Sequence, residues 1–395
     1  MKPLADIRVL DLSRLLPGPF ASMLLRDLGA TIDKLEDPEG GDYLRHLPPQ
    51  VDGENALFRA LNRGKRSIAL DLKDAVSKET FLALIAHYDV ILEQFRPGVL
   101  GRLGLSPASL LEAKPTLVVC SISGYGQSGP SLGRAGHDIN YLARAGVLGF
   151  QGPPGEPPAV PGFQIADVGG ALYAVTAIVA ALRTRDRTGE GAHLDISMTE
   201  AAMGFALSGL AHALEGVPGS PRLHGTGELA GGIAPYRTYA TKDGRYVALG
   251  ALEPKFWFAF CKGVGIPEDP TALLTGPHQQ EHVERLEKVF KSRTFGEWKL
   301  FSETHDVCLE PVLTPAETLE DPHLNARGVF AGPLGQTRGF RSPLVRASTE
   351  SGSAAAELSG EETALGAVPR QGEHTAEVLA EAGLGNRALG SKARS

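Results

Sequence analysis

The chain has few cysteines, no excess of basic residues and no apolar run long enough to span a membrane. Its three cysteines, Cys120, Cys261 and Cys308, are far apart and odd in number, which excludes a disulfide framework and a Cys-x-x-Cys metal or redox site. The N-terminal segment MKPLADIRVLDLS lacks the apolar core and cleavage site of a secretory signal, and the weakly polar run 169–182 is too short to cross a bilayer. These absences predict a cytoplasmic protein with no membrane partner.

The balance of charge excludes a further class of partner. The 395 residues include 39 Lys and Arg against 46 Asp and Glu, which gives a net charge of −7. Nucleic acids are bound by a concentrated basic face, and this composition gives no reason to expect one. We therefore predict no nucleic-acid partner, and any anionic ligand has to be held by local cations.

Short β-rich runs alternate with helical segments in the first half of the chain. The predicted strands are 8–12, 31–35, 67–72, 89–93 and 116–123, and the predicted helices are 20–28, 75–87 and 107–112. This alternation predicts a doubly wound α/β domain, in which helices cover both faces of a parallel sheet. The series continues with an apolar helix at 170–183, a strand at 193–196 and a helix at 199–213.

The pattern changes after about residue 215. Residues 216–235 are rich in Gly and Pro and have no apolar period, which is typical of a linker. The β-rich runs 236–241 and 246–250 flank an Asp243-Gly244 step, so they predict an antiparallel hairpin. Together with the helices that follow, this hairpin predicts a small α+β domain. A second Gly-rich linker is predicted at 327–340.

Two motifs match well-known patterns without the required context. Residues 124–129, GYGQSG, fit the dinucleotide pattern, but Pro130, Gly133 and Gly136 prevent the prompt helix that would meet a pyrophosphate. We interpret them as a loop that runs close to a ligand. Residues 278–282, HQQEH, fit an inverted zinc pattern, but they adjoin a Gly-Pro step and a densely charged helix face. No metal is predicted.

Three further motifs contain residues suited to acid-base chemistry. They are centred on His137 in Gly-His-Asp, on Asp167 in Ile-Ala-Asp-Val-Gly-Gly and on Glu253 in Gly-Ala-Leu-Glu-Pro. Taken singly, each has a structural explanation: an exposed histidine, the N-cap of the apolar helix and an acid at a helix N-terminus. Asp138 is interpreted as the cap of a helix at 139–145 and is left out of the catalytic set.

Six segments along the chain carry a family resemblance. They are VLDLSRLLPGPFASMLLRDLGA, NRGKRSIALDLK, EQFRPGVLGRLGL, SISGYGQSGP, DPHLNARG and GEHTAEVLAEAGL. Together they resemble the family III CoA-transferase group, often called CaiB/BaiF, across nearly the whole chain. Within that group, His137 and Glu253 resemble the α-methylacyl-CoA racemase branch, since transferases typically carry an aromatic residue at the position of this histidine.

The resemblance implies inversion of the α-carbon of 2-methyl-branched acyl-CoA thioesters through an enolate. His137 and Asp167 are then the two bases on opposite faces of that carbon, and Glu253 accepts a hydrogen bond from the second ring nitrogen of the histidine. The amides of Val168 and Gly169, at the start of the helix that Asp167 is predicted to cap, are expected to stabilise the enolate oxygen. No cofactor is expected, because CoA is part of the substrate.

Two other functions stay open. In a CoA-transferase, Asp167 attacks an acyl-CoA and a free carboxylate accepts the CoA; His137 disfavours this hypothesis. The third possibility is a non-catalytic acyl-CoA-binding protein. The acid-base residues of the three motifs would then have only structural roles, and their presence together would be three independent coincidences.

The resemblance also implies where CoA is bound. Its contacts are expected at turns that contain Arg63, Lys65 and Arg96. Arg96 comes just after the strand predicted at 89–93, at the edge of a doubly wound sheet where ligands bind.

The domain plan and the oligomeric state follow from the same resemblance. The expected plan is a large CoA-binding domain over 1–215 with 341–395, a linker over 216–235, a small domain over 236–326 and a second linker over 327–340. Two such chains are expected to interlock as a homodimer.

Overall fold

The computed structural model describes residues 2–51, 53–153, 155–216, 225–332, 339–341 and 366–385. Parts of both predicted linkers, 217–224 and 333–338, and parts of the predicted C-terminal segment, 342–365 and 386–395, lie outside the described residues.

The chain divides into two compact units. The first comprises the described parts of Met1–Leu142, Phe163–Ala202 and Pro322–Ser395, and the second those of Ala143–Gly162 and Met203–Asp321.

This division differs from the predicted domain bounds at residues 322–326, which were assigned to the small domain, and at residues 143–162 and 203–215, which were assigned to the large domain. These two segments pack together: a Cβ added at Gly209 would lie 2.6 Å from the ring of Phe150. Such a contact joins residues about 60 positions apart, which local composition does not reveal.

The strands are short, as is usual in α/β proteins. They are β1 (Arg8–Asp11), β2 (Thr31–Glu36), β3 (Gln50–Val51), β4 (Glu54–Asn55), β5 (Arg66–Ala69), β6 (Val90–Glu93), β7 (Val118–Ser123), β8 (Ala192–Ser197), β9 (Tyr236–Ala240), β10 (Tyr246–Gly250), β11 (Leu309–Pro311), β12 (Phe330–Ala331) and β13 (Gly339–Phe340).

The helices of the two units are numbered in chain order. They are α1 (Pro17–Asp27), α2 (Ala56–Asn62), α3 (Ala75–Leu84), α4 (Val99–Arg102), α5 (Pro107–Ala113), α6 (Asp138–Arg144), α7 (Ile165–Thr188), α8 (Met198–Phe205), α9 (Leu207–Leu214), α10 (Pro254–Val264), α11 (Gln279–Phe290), α12 (Phe295–Thr304), α13 (Pro315–Glu320), α14 (Pro322–Ala326) and α15 (Thr375–Glu381).

A six-stranded parallel sheet forms the centre of the first unit. Its strand order is β5-β2-β1-β6-β7-β8, so the chain moves outward from β1 in one direction and then from β6 in the other. Ligands of doubly wound sheets bind where the order reverses, at the carboxyl ends of the two central strands. The predicted α/β doubly wound fold is confirmed, and its switch point lies between β1 and β6.

Helices cover both faces of this sheet. The helices α1 and α7 pack on each other and on the sheet, whereas α3, α5 and α15 contribute Phe81, Leu110 and Val378 to the apolar core of the other face. The neighbouring strands β6 and β7 are buried along their whole length, which explains why their sequences are mostly apolar.

The helix α7 is longer than the sequence predicted. Its charged last turns belong to the helix, so it has 24 residues rather than ending near residue 183. Within the described ranges, it is the one helix long and apolar enough to cross a membrane, and half of its apolar window is buried. It packs against α1, β7 and β8. The absence of a membrane partner stays a prediction.

The second unit is built on an antiparallel sheet, in the order β11-β10-β9. The hairpin β9–β10 turns at Gly244, whose φ of +75° suits a glycine. Aromatic side chains from α10, α11 and α12 form its core, and Phe260, Phe290 and Trp298 are among the largest buried residues.

Candidate active site

Asp167 lies in the first turn of α7, on the face of the sheet that α1 and α7 cover. The helix begins at Ile165, three residues earlier than a cap at Asp167 would place it, so the prediction that Asp167 caps this helix is wrong. Burial, reinforced by the negative charge of Asp138, raises the pKa of the half-buried Asp167 carboxyl to about 7. Near neutral pH this side chain therefore populates both its protonated and its ionised form.

Asp138 caps α7 from another helix. Its Oδ1 accepts hydrogen bonds from the backbone N–H groups of Ala166 at 2.7 Å and Asp167 at 3.1 Å. The first amides of a helix have no acceptor within it, so a carboxylate from elsewhere in the fold can satisfy them. The prediction that Asp138 caps the helix it begins is wrong, and it is a site residue that the sequence analysis missed. Its position directly after His137 was the available signal.

His137 is brought to the same place by this contact. Its own N–H donates to Oδ1 of Asn140 at 3.0 Å, and its carbonyl oxygen accepts from the N–H of Asn140 at 2.8 Å and of Tyr141 at 3.3 Å. These bonds fix the backbone at the start of α6, while the residue itself is exposed. The structure thus joins the segment of His137 to the helix of Asp167 through Asp138.

Tyr141 forms the buried side of the site and was also missed. Its hydroxyl donates to the carbonyl oxygen of Gly136 at 2.6 Å, and its ring meets Tyr125 edge-on at 5.2 Å between centroids. A Cβ at Gly124 or Gly136 would collide with the Tyr141 ring, so these glycines permit the close approach of the loop. Burial, with the charge of Asp167 next in effect, raises the pKa of Tyr141 to about 12.

The predicted oxyanion site does not exist in the expected form. Because α7 begins at Ile165, the N–H of Val168 donates to the carbonyl oxygen of Gln164 at 3.1 Å, and Gly169 lies further inside the helix. The prediction of free amides at Val168 and Gly169 is therefore wrong. It failed for the same reason as the predicted cap, since both depend on where the helix begins.

Arg63 points into the fold. Its guanidinium donates two hydrogen bonds of 2.9 Å to the carboxylate of Asp27 and one of 3.0 Å to the carbonyl oxygen of Phe340, and the residue is only 4% exposed. A paired fork of this kind occupies the guanidinium. The prediction that Arg63 contacts CoA is contradicted.

Lys65 is buried as well, at 3% exposure. Its Nζ donates to Oγ of Ser22 at 2.7 Å, Oδ1 of Asn62 at 2.9 Å and the carbonyl oxygen of Pro19 at 3.1 Å, and it lies 3.4 Å from Oδ2 of Asp11. Burial is the main reason why its pKa is lowered to about 7. With every donor directed to the interior, the prediction of a CoA contact is contradicted here too.

Arg96, in contrast, is exposed just after β6 at the switch point. The loops after β1 and β6 meet there: the N–H of Gly18 donates to Oε1 of Gln94 at 2.9 Å, and Arg14 lies over the ring of Phe95 at 5.8 Å. The positive charge of Arg96 also opposes the rise in the pKa of Tyr141, which places it on the side of the acid-base residues.

Glu253 belongs to the second unit. It is the N-cap residue of α10, it is exposed, and its side chain accepts no capping hydrogen bond from the described part of that unit. Its negative charge contributes, after burial, to the raised pKa of Cys308. Its hydrogen bond to His137 stays a prediction.

The histidines of the HQQEH motif make structural contacts. Nε2 of His278 lies 2.9 Å from the carbonyl oxygens of Thr271 and Leu274, and Nε2 of His282 lies 3.2 Å from Oγ1 of Thr271. Over the described ranges, His, Cys, Asp and Glu do not gather in groups of three that could hold a metal ion.

Comparison with known proteins identifies the family. The sequence model of CoA-transferase family III matches residues 4–375. The chain belongs to this family. It is therefore an enzyme of a family that contains both racemases and CoA-transferases.

Relatives of both kinds resemble this family III enzyme. It is 37% identical to a mouse α-methylacyl-CoA racemase over 96% of this chain and 93% of the relative. It is 36% identical to a mouse succinyl-CoA:glutarate CoA-transferase over 74% of this chain and 67% of the relative. A CaiB/BaiF family crystal structure from Brucella suis matches with a TM-score of 0.80 and 30% identity, over 96% of this chain and 99% of that one.

Proposed function

We propose that the protein is a racemase or epimerase that inverts the α-carbon of 2-methyl-branched acyl-CoA thioesters. The observation that carries the proposal is the half-buried Asp167, whose carboxyl has a pKa of about 7 beside the segment of His137. A group that titrates near neutral pH can both remove and return a proton. The 37% identity to an α-methylacyl-CoA racemase supports the same activity.

The proposed reaction is a 1,1-proton transfer with two bases. One base takes the α-proton, the electron pair of the C–H bond moves into the thioester carbonyl to give an enolate, and the other residue protonates the opposite face. For one epimer, neutral His137 removes the proton and protonated Asp167 donates one to the opposite face. For the other epimer, ionised Asp167 removes the proton and the imidazolium of His137 donates one. The two residues therefore share one mobile proton through the substrate.

Other residues are assigned supporting roles. Glu253 accepts a hydrogen bond from the second ring nitrogen of His137 and fixes its tautomer. Arg96 and Arg14, both at the switch point, hold phosphate groups of CoA. No cofactor is required, since the thioester itself acidifies the α-proton. As part of the same proposal, the enzyme works in lipid metabolism in the cytoplasm as an interlocked homodimer.

A CoA-transferase is the second candidate, favoured by the 36% identity to a succinyl-CoA:glutarate CoA-transferase. In that reaction, ionised Asp167 attacks the acyl carbonyl and releases CoA thiolate to give an anhydride. The thiolate then attacks the aspartyl carbonyl and releases the acyl carboxylate. The racemase reaction uses both the protonated and the ionised form of Asp167, whereas the transferase reaction uses only the carboxylate, so a pKa of about 7 favours the racemase. The racemase is therefore the preferred function.

The deciding experiment is hydrogen exchange at the substrate. Purified enzyme is incubated in D₂O with one epimer of a 2-methylacyl-CoA and no added carboxylic acid, and the product is followed by NMR. We expect deuterium at the α-carbon together with formation of the second epimer. His87→Ala, which removes an exposed histidine after α3, is the matched control and should retain the activity. Absence of exchange, with ready transfer of CoA to added glutarate, would establish the transferase instead.

A second measurement follows the fate of Asp167. Turnover in the presence of hydroxylamine should leave the racemase active, because no acyl or thioester adduct forms on the carboxyl. Mass-spectrometric detection of CoA or hydroxamate at Asp167 would refute the two-base mechanism.

A further inference from the structure

The carboxylate of Asp138 links the two halves of the candidate site. Asp138 follows His137 in the chain, and its Oδ1 binds the N–H groups of Ala166 and Asp167 at 2.7 and 3.1 Å. Gln164, the residue at the N-cap position of α7, provides no capping hydrogen bond among the described residues. The first turn of α7 is thus held by Asp138, which lies 28 positions before Ala166 and 29 before Asp167 in the chain.

We propose that Asp138 is a positioning residue for Asp167, which it serves through two hydrogen bonds to the backbone of α7 and through its negative charge. The proposal rests on the proposed function in one respect, since it treats Asp167 as an acid-base residue. The positioning itself is a property of the ligand-free protein.

The hydrogen bonds fix where the Asp167 side chain begins. One oxygen that accepts two N–H groups suits a carboxylate, which has no proton to donate. Because the N–H of Asp167 is itself one of the donors, any displacement of Asp138 moves the backbone atom next to the reacting side chain. Because Asp138 is the first residue of α6 and follows His137, the same bonds connect the start of α6 to the start of α7.

The charge acts on the same carboxyl. Burial is the largest cause of the raised pKa of Asp167, which is about 7, and the negative charge of Asp138 is the second cause. No ion pair in the described part of the chain includes Asp167, so no cation offsets this effect by direct contact. The other titratable or charged groups around the pair are His137, Tyr125, Tyr141 and Arg96.

These neighbours do not replace Asp138. Tyr141 has a pKa of about 12 and is neutral at neutral pH, and its hydroxyl donates to a backbone carbonyl rather than to Asp167. Arg96 is exposed, so solvent screens its charge. The proton affinity of Asp167 should consequently respond to the charge at position 138 more than to any other single substitution around it.

Two substitutions separate the charge from the hydrogen bonds. Asp138→Asn keeps an oxygen acceptor for the two amides and removes the charge, whereas Asp138→Ala removes both. Asp186→Asn is the matched control, because Asp186 is an exposed acid near the other end of the same helix. Each protein is labelled with ¹³C at the aspartate carboxyl, and the Asp167 signal is assigned by its absence from Asp167→Asn.

The carboxyl titration by NMR tests the charge. We expect Asp138→Asn to lower the pKa of Asp167 by about one unit, the size typical of losing a nearby like charge, and Asp186→Asn to leave it unchanged. If Asp167 titrates alike in Asp138→Asn and the wild type, the electrostatic half of the proposal is overturned.

Amide exchange measured by mass spectrometry tests the hydrogen bonds. Peptides that cover the first turn of α7 should exchange at the wild-type rate in Asp138→Asn and at least tenfold faster in Asp138→Ala. If Asp138→Ala does not fold, wild-type protection of these peptides in Asp138→Asn still supports the proposal. If Asp138→Ala folds and its peptides exchange at the wild-type rate, the proposal is contradicted. Both measurements use ligand-free enzyme, so a negative substrate-exchange result would remove the racemase function without deciding this proposal.

Discussion

Replacement of Asp167 by asparagine should stabilise the protein, and by more at pH 8 than at pH 5. A carboxyl whose pKa is raised in the folded state binds its proton more tightly there than in the unfolded chain. The folded state therefore loses relative stability as the pH rises from about 4 through about 7, while the unfolded chain ionises freely. Asparagine has nearly the same shape and no charge to bury, so the variant escapes this loss.

The magnitude follows from the raised pKa. The shift from 3.8 to about 7 corresponds to an upper bound of about 4 kcal/mol at about 1.36 kcal/mol per pH unit. Two effects reduce the measurable difference: part of the loss of stability occurs below pH 5, and solvent screens the charge of a half-buried carboxyl. We therefore expect the stabilisation by Asp167→Asn to be ~1–2 kcal/mol larger at pH 8 than at pH 5.

The assay is equilibrium urea unfolding, followed by far-UV circular dichroism at the two pH values. Asp186→Asn again serves as the control, because it removes an exposed helix acid and should change stability equally at both. An equal effect of Asp167→Asn at pH 5 and pH 8 would mean that the carboxyl carries no extra cost of ionisation in the fold. The electrostatic basis of the proposed acid-base role would then be refuted.

Three further substitutions test individual assignments. His137→Ala should slow epimerisation by about 10² to 10⁴ with little change in substrate affinity, and unaltered turnover would remove this residue from the mechanism. Arg96→Ala should weaken CoA binding about tenfold in calorimetry, the effect of one charged hydrogen bond, while unchanged affinity would place the phosphates elsewhere. Lys65→Met should destabilise the fold by about 3–5 kcal/mol in urea unfolding, because Asp11 loses its nearest buried cation; wild-type stability would contradict that.

The doubly wound sheet could be predicted because its signals are local. Buried strands such as β6 and β7 are mostly apolar, and the Asp243-Gly244 step specifies a turn for the hairpin β9–β10. Errors were confined mainly to element ends. The helix predicted at 199–213 is divided into α8 and α9 at Ala206, which the apolar pattern did not indicate.

The direction in which a cation points could not be predicted. Arg63, Lys65 and Arg96 all lie near loops, and their sequence context is similar. The first two are neutralised by Asp27 and Asp11, which come from α1 and β1, whereas Arg96 has its guanidinium at the surface. The acidic partner of Arg63 is 36 residues away and that of Lys65 is 54 residues away. No local sequence pattern indicates such distant partners.

The sequence by itself determined the fold class, the family and the residue types available for acid-base chemistry, because these depend on periodicity and on motifs that are contiguous in the chain. The tertiary structure decided where α7 begins, which of its amides are occupied and what surrounds Asp167. Asp138 reaches α7 from another helix, accepts hydrogen bonds from two of these amides and contributes to the raised pKa of Asp167. A proton affinity is set by burial and by charges close in space, so it exists only once the chain has folded.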